Sequence, residues 1–357
     1  MAITDVPNYR TFKSGIAIVK SMERNHAIDT LRSVATLLVV LLHIAATYVS
    51  KSKATHTFDA DFWISNILDA YSRICVPLFV MISGMFLLGR SEPIGEQYRK
   101  RAVRILLPLV VWSLLYLQYQ RWIGHLTGFR PDNDYLIEQL LAGNPFYHLW
   151  YLYMVTGLYL TAPFINRFAG RVTRSTLWLT ASLLMAVGMI RSTYNTYHEI
   201  EPFFLTWFVD YLGYFLFGYL LSTSKPKWKT KVLLGIYLLS GSLIAILTAY
   251  TIRHYNSLYF YGYLTPLVIA GALAVFAGVQ QLTLQQNRLS RYAHLSFGVY
   301  LVHAGVLDVV NNLIRYKAWP FPEQALLAIP LKCILVIALS LLIIYPMSKS
   351  TLLKRLI

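Results

Sequence analysis

The sequence predicts an all-α integral membrane protein of about ten transmembrane helices, with both termini cytoplasmic. Three observations predict it. Of 357 residues, 56% are hydrophobic and only 13% charged, about half the charge of a soluble domain. Apolar runs of bilayer-spanning length recur along the whole chain. Lys and Arg concentrate in alternate connections between those runs.

The runs fall at 27–49, 62–89, 105–124, 146–166, 175–190, 203–221, 232–252, 258–279, 292–313 and 325–346. Each must be a helix, because hydrocarbon offers the backbone no partner outside its own segment. Residues 1–26 are polar and mixed, without the apolar stretch of a cleavable leader, and read as a cytoplasmic segment. Residues 27–346 form one transmembrane domain, and 347–357 a cytoplasmic tail. The longest internal connection is 125–145. Its middle, 135–141, reads as a short amphipathic helix at the interface. No internal repeat is visible.

With the N-terminus inside, 21 Lys and Arg lie on the inner side and 8 on the outer, while Arg32, Arg73 and Lys332 sit within spans. The formal net charge of +16 is therefore mostly topological and requires no nucleic-acid partner. Cys75 and Cys333 both lie in apolar runs. That pattern excludes a disulfide framework and a cysteine metal site, and no metal is expected. The chain has no G-x-x-x-x-G-K-[ST], G-x-G-x-x-G, H-E-x-x-H or G-x-S-x-G motif. ATP hydrolysis, dinucleotide redox chemistry and zinc hydrolysis lose their usual sequence support.

Ionisable residues within spans are costly unless they face a cavity or a partner, so each is a functional candidate. In the first span, Arg32 and His43 are 11 residues apart, which is about three turns, so they share a face about 16 Å apart. Asp29 lies one turn below Arg32. A cation near one end and an imidazole deep inside suit a long anionic ligand threaded along one helix face. They also suit a snorkelling arginine and an unrelated histidine. In the second span, Asp69 and Arg73 are spaced for an i, i+4 ion pair, and Pro77 bends the helix. Ser83-Gly84 follows, readable as a hydroxyl donor or as plain helix packing.

Arg101 and Arg104, spaced i, i+3, suit phosphate binding or an ordinary inner-side cluster. Trp150 reads as part of an aromatic belt; beside it His148 is ambiguous. His303, mid-span, is either a hydrogen-bonded core residue or part of a site. Asp210 and Asp308 also fall in or near spans, and Glu199 and Glu201 in an outer loop.

Taken in order, these elements resemble the membrane-bound acyltransferase-3 family. The resemblance rests on D-x-L-R with His43 downstream, on F-V-M-I-S-G (Phe79, Ser83, Gly84), and on R-x-x-R (Arg101, Arg104). It rests also on H-L-W-Y-L starting at His148 and on Y-L-V-H ending at His303. Each motif is weak alone; their order over nearly the whole chain is specific. The stand-alone bacterial members are most similar, such as the O-acetyltransferases of enterobacterial common antigen and the exopolysaccharide acyltransferases. The fused esterase-like domain of some other members is not expected here.

The resemblance implies transfer of an acyl group, acetyl by default or succinyl, from cytoplasmic acyl-CoA to a hydroxyl. The acceptor would be a surface polysaccharide or its lipid-linked precursor, at the bacterial inner membrane. Acyl-CoA is then a co-substrate, with no permanently bound cofactor, and self-association is left open. His43 becomes the catalytic group, as general base or through an acyl-histidine. Arg101, Arg104 and Arg32 would meet the CoA phosphates, with Asp29 ordering Arg32. Ser83 and Arg73 would serve the thioester oxyanion, with Gly84 beside them. His148, Trp150, His303 and Asp69 would line the acceptor side or support the site. The competing reading is a secondary transporter or lipid-linked sugar translocase using Arg32, Asp69, Arg73 and Asp210. It predicts repeats and paired broken helices, which the sequence does not show.

Overall fold

The computed structural model describes residues 25–90, 93–127, 131–224, 226–316 and 320–357. Most of the expected N-terminal segment, with Arg10, Lys13, Lys20 and Arg24, lies outside the described residues, as do Arg130, Lys225 and Lys317. Among the described residues there is no strand, and nine helical stretches are long and apolar enough to cross a membrane. The protein is a multi-pass membrane protein.

α1 (His26–Thr55) starts sharply because the Asn25 side chain accepts hydrogen bonds from the Ala27 and Ile28 amides at 3.1 and 3.2 Å. That cap sets the depth of every α1 side chain, Arg32 and His43 included. The second span is broken into α2 (Ala60–Ser72) and α3 (Cys75–Leu87). The break lies at Arg73 and Ile74 rather than at Pro77 itself. A proline ring clashes with the carbonyl four residues earlier, here that of Arg73, so the helix opens there.

The third span combines α4 (Ile94–Arg101), a π-helical segment Ala102–Leu106, and α5 (Leu107–Thr127). π segments of this kind recur at functional sites. The interface helix expected at 135–141 is present as α6 (Asn133–Leu141), capped by Asp132.

The fourth expected span, 146–166, is the exception. Its helix, α7 (Trp150–Ala169), has 20 residues, enough for about 30 Å. It is less apolar than the other nine because of its tyrosines. It also begins at Trp150: Pro145 to Leu149 form a turn that enters the bundle, with Leu149 fully buried and His148 2% exposed. α8 (Arg174–Tyr197) and the short α9 (Trp207–Asp210) follow, then α10 (Leu212–Ser224), α11 (Thr230–Tyr255) and α12 (Pro266–Gln280). The chain closes with α13 (Arg288–Tyr292), α14 (Ser296–Arg315) and α15 (Ala325–Lys349).

Consecutive spans joined by short connections run antiparallel. One end of the bundle therefore carries the start of α1, the end of α3, α4, the end of α7 and the end of α15. This basic end holds Arg99, Arg101, Arg104, Arg167, Arg171, Arg174, Lys227, Lys229, Lys231, Arg288 and Arg291. The opposite end carries Thr55, Trp150, Tyr197 and Tyr255. Side chains tie α1 to α13: Ser33 donates to the Leu289 carbonyl at 2.8 Å, and Asn287 to the Thr30 hydroxyl at 3.0 Å.

The tightest crossing joins α3 to α10. A Cβ on Gly84 would collide with the Phe215 carbonyl, and one on Gly218 with the Met81 carbonyl. Small residues let membrane helices pack backbone to backbone. We therefore expect Gly84→Ala to lower the thermal unfolding midpoint in detergent, at a cost of about 1–3 kcal/mol or more. Gly235→Ala, where nothing lies nearby, should leave the midpoint unchanged.

Candidate active site

His43 meets the rings of two other segments. Tyr147 stands edge-on to it at 5.0 Å, and His303 of α14 stacks at 5.4 Å with an interplanar angle of 29°. His148, from the turn before α7, stands edge-on to His303 at 5.2 Å. Three imidazoles from three separate segments thus form one cluster. Their rings stack and abut rather than converge, and among the described residues no His, Cys, Asp or Glu group is arranged to hold a metal.

Hydrogen bonds set the tautomers of two of them. His303 Nδ1 lies 2.6 Å from the Tyr300 carbonyl. A carbonyl only accepts, so Nδ1 carries the hydrogen and Nε2 keeps its lone pair. That Nε2 is buried without a partner among the described residues. His148 Nε2 lies 3.3 Å from the Leu301 carbonyl, which leaves its Nδ1 as a second buried lone pair without a partner. Tyr300 in turn donates to the His148 carbonyl at 2.6 Å, locking the turn to α14. Among the described residues, none hydrogen-bonds the His43 ring. A neutral imidazole with a free lone pair is equipped to take a proton.

His43 lines a narrow cavity of about 20 Å³, with His148, Cys75, Tyr151, Tyr263 and Tyr300 around it. That is room for about one water molecule. A connected series of side chains leads from this cavity to the basic end. Tyr151 packs 5.5 Å from Tyr300 and 6.2 Å from Phe79, with the Ser83 hydroxyl beside its own. Ser83 is 3.4 Å from the Tyr159 hydroxyl, and Arg101 donates to the Tyr159 carbonyl at 3.0 Å. Arg32 lies over the Phe86 ring at 5.5 Å and pairs with Asp29 at 3.6 Å. Arg32, Ser83 and Arg101 are therefore brought onto one route towards His43. Arg104, in the π segment, is exposed at the same end.

Other sequence candidates are placed differently. Gly84 turns towards α10, away from the cavity. Asp69 and Arg73 form a closed pair at 2.6 Å; the guanidinium lies 4.0 Å over the Tyr261 ring and donates to the Tyr261 carbonyl at 3.3 Å. Its Nε alone lacks a partner among the described residues. Trp150 is not a belt residue: it stacks on Tyr263 at 5.8 Å and lines the His43 cavity, because α7 starts inside the bundle.

The residues that sequence reasoning missed are the tyrosines, Tyr147, Tyr151, Tyr263 and Tyr300. Tyr300 precedes His303 by three residues, one helical turn on the same face, a signal that was available. Tyr263 sits before α12 and has no such signal.

The acyltransferase domain family matches residues 25–345, nearly the whole chain and every segment that builds this cluster. The chain belongs to the acyltransferase-3 family. No curated protein and no solved structure matches it. Membership makes it a membrane acyltransferase, and the transporter reading loses its ground: Arg73 and Asp69 satisfy each other instead of opening a midplane substrate site.

In this acyltransferase the ion pair is structural. We expect Asp69→Ala to cost about 3–5 kcal/mol by stranding a buried guanidinium, read as a fall in the unfolding midpoint. Asp69→Leu combined with Arg73→Met should recover most of that loss.

Proposed function

We propose that this acyltransferase moves an acyl group, acetyl or succinyl, from cytoplasmic acyl-CoA to a hydroxyl of a surface polysaccharide or its lipid-linked precursor. It would do so in the bacterial inner membrane, with His43 as general base. One observation carries the reading: an imidazole whose nitrogens have no hydrogen-bond partner among the described residues lines an internal cavity that a polar series joins to a basic end. The excess of Lys and Arg at that end favours a cytoplasmic position for it, where acyl-CoA is available.

In this reading the CoA phosphates rest against Arg101, Arg104 and Arg32, and the pantetheine arm follows Ser83 and Tyr151 inward. His43 accepts the proton of the acceptor hydroxyl as its oxygen attacks the thioester carbonyl. The tetrahedral intermediate then expels the thiolate, which takes the proton back from His43. The products are an ester and CoA thiol. Tyr151 lines the cavity, whereas Ser83 and Arg73 do not, so we assign the oxyanion hydrogen bond to Tyr151, with Ser83 ordering it. The unpartnered lone pairs of His148 and His303 suit a bound hydroxyl or amide donor, since buried acceptors gain most from a partner. The cavity is far smaller than a thioester. Binding therefore requires side chains to move apart, which also keeps water from the donor when no acceptor is present.

His43→Ala should lower acyl transfer by about 10²–10⁴-fold while acyl-CoA still binds. Radiolabelled transfer to glycan, together with donor binding by calorimetry, checks this; normal transfer by a correctly inserted variant would reject the assignment. Arg101→Ala with Arg104→Ala should weaken donor binding about tenfold or more, as expected for lost charge-assisted contacts. An unchanged donor affinity would remove the CoA site from this position.

A further inference from the structure

A second cavity is larger than the one around His43. A cleft of about 470 Å³ opens at the opposite end, between α7, α8 and α9. That volume lies within the roughly 300–1,000 Å³ of small-molecule sites. Trp150, Trp207 and Tyr211 supply its aromatic wall, and Asp210, Glu199 and Glu201 its carboxylates. The two indoles stand nearly perpendicular at 6.2 Å, and Tyr211 lies 6.0 Å from Trp150.

The frame is rigid where it needs to be. Arg191 holds Asp210 at 3.2 Å and Thr206 at 2.5 Å, and Trp207 donates to the Pro202 carbonyl at 2.9 Å. Glu199 adopts a left-handed backbone, φ 53°, where α8 ends and the Ile200 amide returns to the Asn195 carbonyl at 2.9 Å. Among the described residues, neither Glu199 nor Glu201 has an ion-pair partner.

The chemistry selects a ligand class. Carboxylates are hydrogen-bond acceptors only, so they suit a ligand rich in hydroxyl donors. Aromatic faces carry partial negative charge and bind weakly positive C–H surfaces. Among the described residues the lining has no Lys or Arg, and Arg191 behind it is taken up by Asp210, so the three carboxylates favour an uncharged ligand over an anion. An uncharged sugar ring meets all three conditions; CoA and uronic acids do not.

Trp150 connects this cleft to the catalytic imidazole. It lines both cavities, the cleft and the one holding His43. Its indole is the wall between them, backed by Tyr263.

We propose that this cleft is the acceptor subsite, taking an uncharged hexosyl unit, and that Trp150 is the partition that must move for the sugar hydroxyl to reach His43. The inference rests on the acyl-transfer reading for what His43 does once the hydroxyl arrives. Donor and acceptor then approach one imidazole from opposite ends of the bundle. The partition also explains how the thioester escapes water: with Trp150 in place, only about one water fits beside His43. If it is removed, water replaces the sugar hydroxyl, giving a free carboxylate and CoA thiol from acyl-CoA.

The test uses the full chain in nanodiscs with acetyl-CoA as donor. Binding of methyl α-D-glucoside, N-acetylglucosamine and glucuronate is read by saturation-transfer NMR. The wild type should bind the two uncharged sugars and not glucuronate. Glu199→Gln with Glu201→Gln, on an exposed loop, and separately Trp207→Ala, should each lose at least tenfold in uncharged-sugar affinity with the donor Kd unchanged. Trp150→Ala should raise acetyl-CoA hydrolysis without acceptor at least tenfold, and Trp150→Phe should restore the wild-type rate, a pattern that mere loss of packing would not give.

Failure to bind uncharged sugars, an equal loss of donor affinity in the loop variants, or no rise in hydrolysis in Trp150→Ala overturns the proposal. Sugar binding in a protein that transfers nothing would leave the cleft in place and refute the acyl-transfer reading instead. Comparing free oligosaccharide with its lipid-linked form as competitor of the glucoside signal then identifies which source of the sugar unit the cleft takes.

Discussion

The ion pair between Asp69 and Arg73 organises the interior around it. In hydrocarbon a lone charge is costly, so each of these residues fixes the other. Arg73 stands where Pro77 forces the helix open, and its guanidinium lies over the Tyr261 ring. Tyr261 donates to Asn66 Oδ1 at 2.6 Å, and Asn66 donates to the Ala245 carbonyl at 2.9 Å. One pair of charges thereby ties α2, α11 and the segment before α12. A buried pair adds little net stability, because desolvation offsets attraction; here it sets position. The break it occupies re-aims α3, so that Cys75, Val76 and Phe79 face His43.

Around that frame the polar groups divide into two kinds. Several are satisfied: the Tyr300 and Tyr116 hydroxyls and the Leu149 amide in the turn before α7 find partners. Beside His43, whose ring has no hydrogen-bond partner among the described residues, the unpaired groups are lone pairs on His148 and His303. Buried polar groups are nearly always paired, so a cluster of unpaired acceptors in a packed interior points to a ligand that brings donors. The stacked arrangement of the rings suits proton transfer to a small bound group. In the proposed reaction, tight closure and unpaired acceptors belong together: they preorganise the site for a guest and would exclude water until one arrives.

The basic end and the cleft at the opposite end differ in electrostatic character. Guanidiniums and ammoniums crowd the end that leads through Tyr159 and Tyr151 to His43, while carboxylates and indoles line the cleft at the other. The proposed transfer, from a charged donor to an uncharged acceptor, would use such a division, since each surface disfavours the wrong partner. The division follows from topology: the connections that anchor the chain in the bilayer by their positive charge lie on the side opposite the Glu199–Glu201 loop.

Composition and periodicity determined that the chain spans a membrane as helices, and roughly where, because hydrocarbon leaves the backbone no other choice. The spacing of Arg32 and His43 determined that they share one face, since a helix repeats its direction every few residues whatever surrounds it. The Asp69–Arg73 pair was legible for the same reason. Only tertiary structure decided that His148 and His303 meet His43, because those contacts join residues more than a hundred positions apart and no local rule ranks one distant partner over another. It also decided that Gly84 serves packing while Ser83, its neighbour, faces Tyr159. Adjacent residues on a helix point about 100° apart, and the sequence does not say which direction is occupied. Trp150 is the sharpest case: a tryptophan near the end of an apolar run fits an interfacial belt equally well. It became a wall between two cavities only because the turn before it folds into the bundle and starts α7 from within.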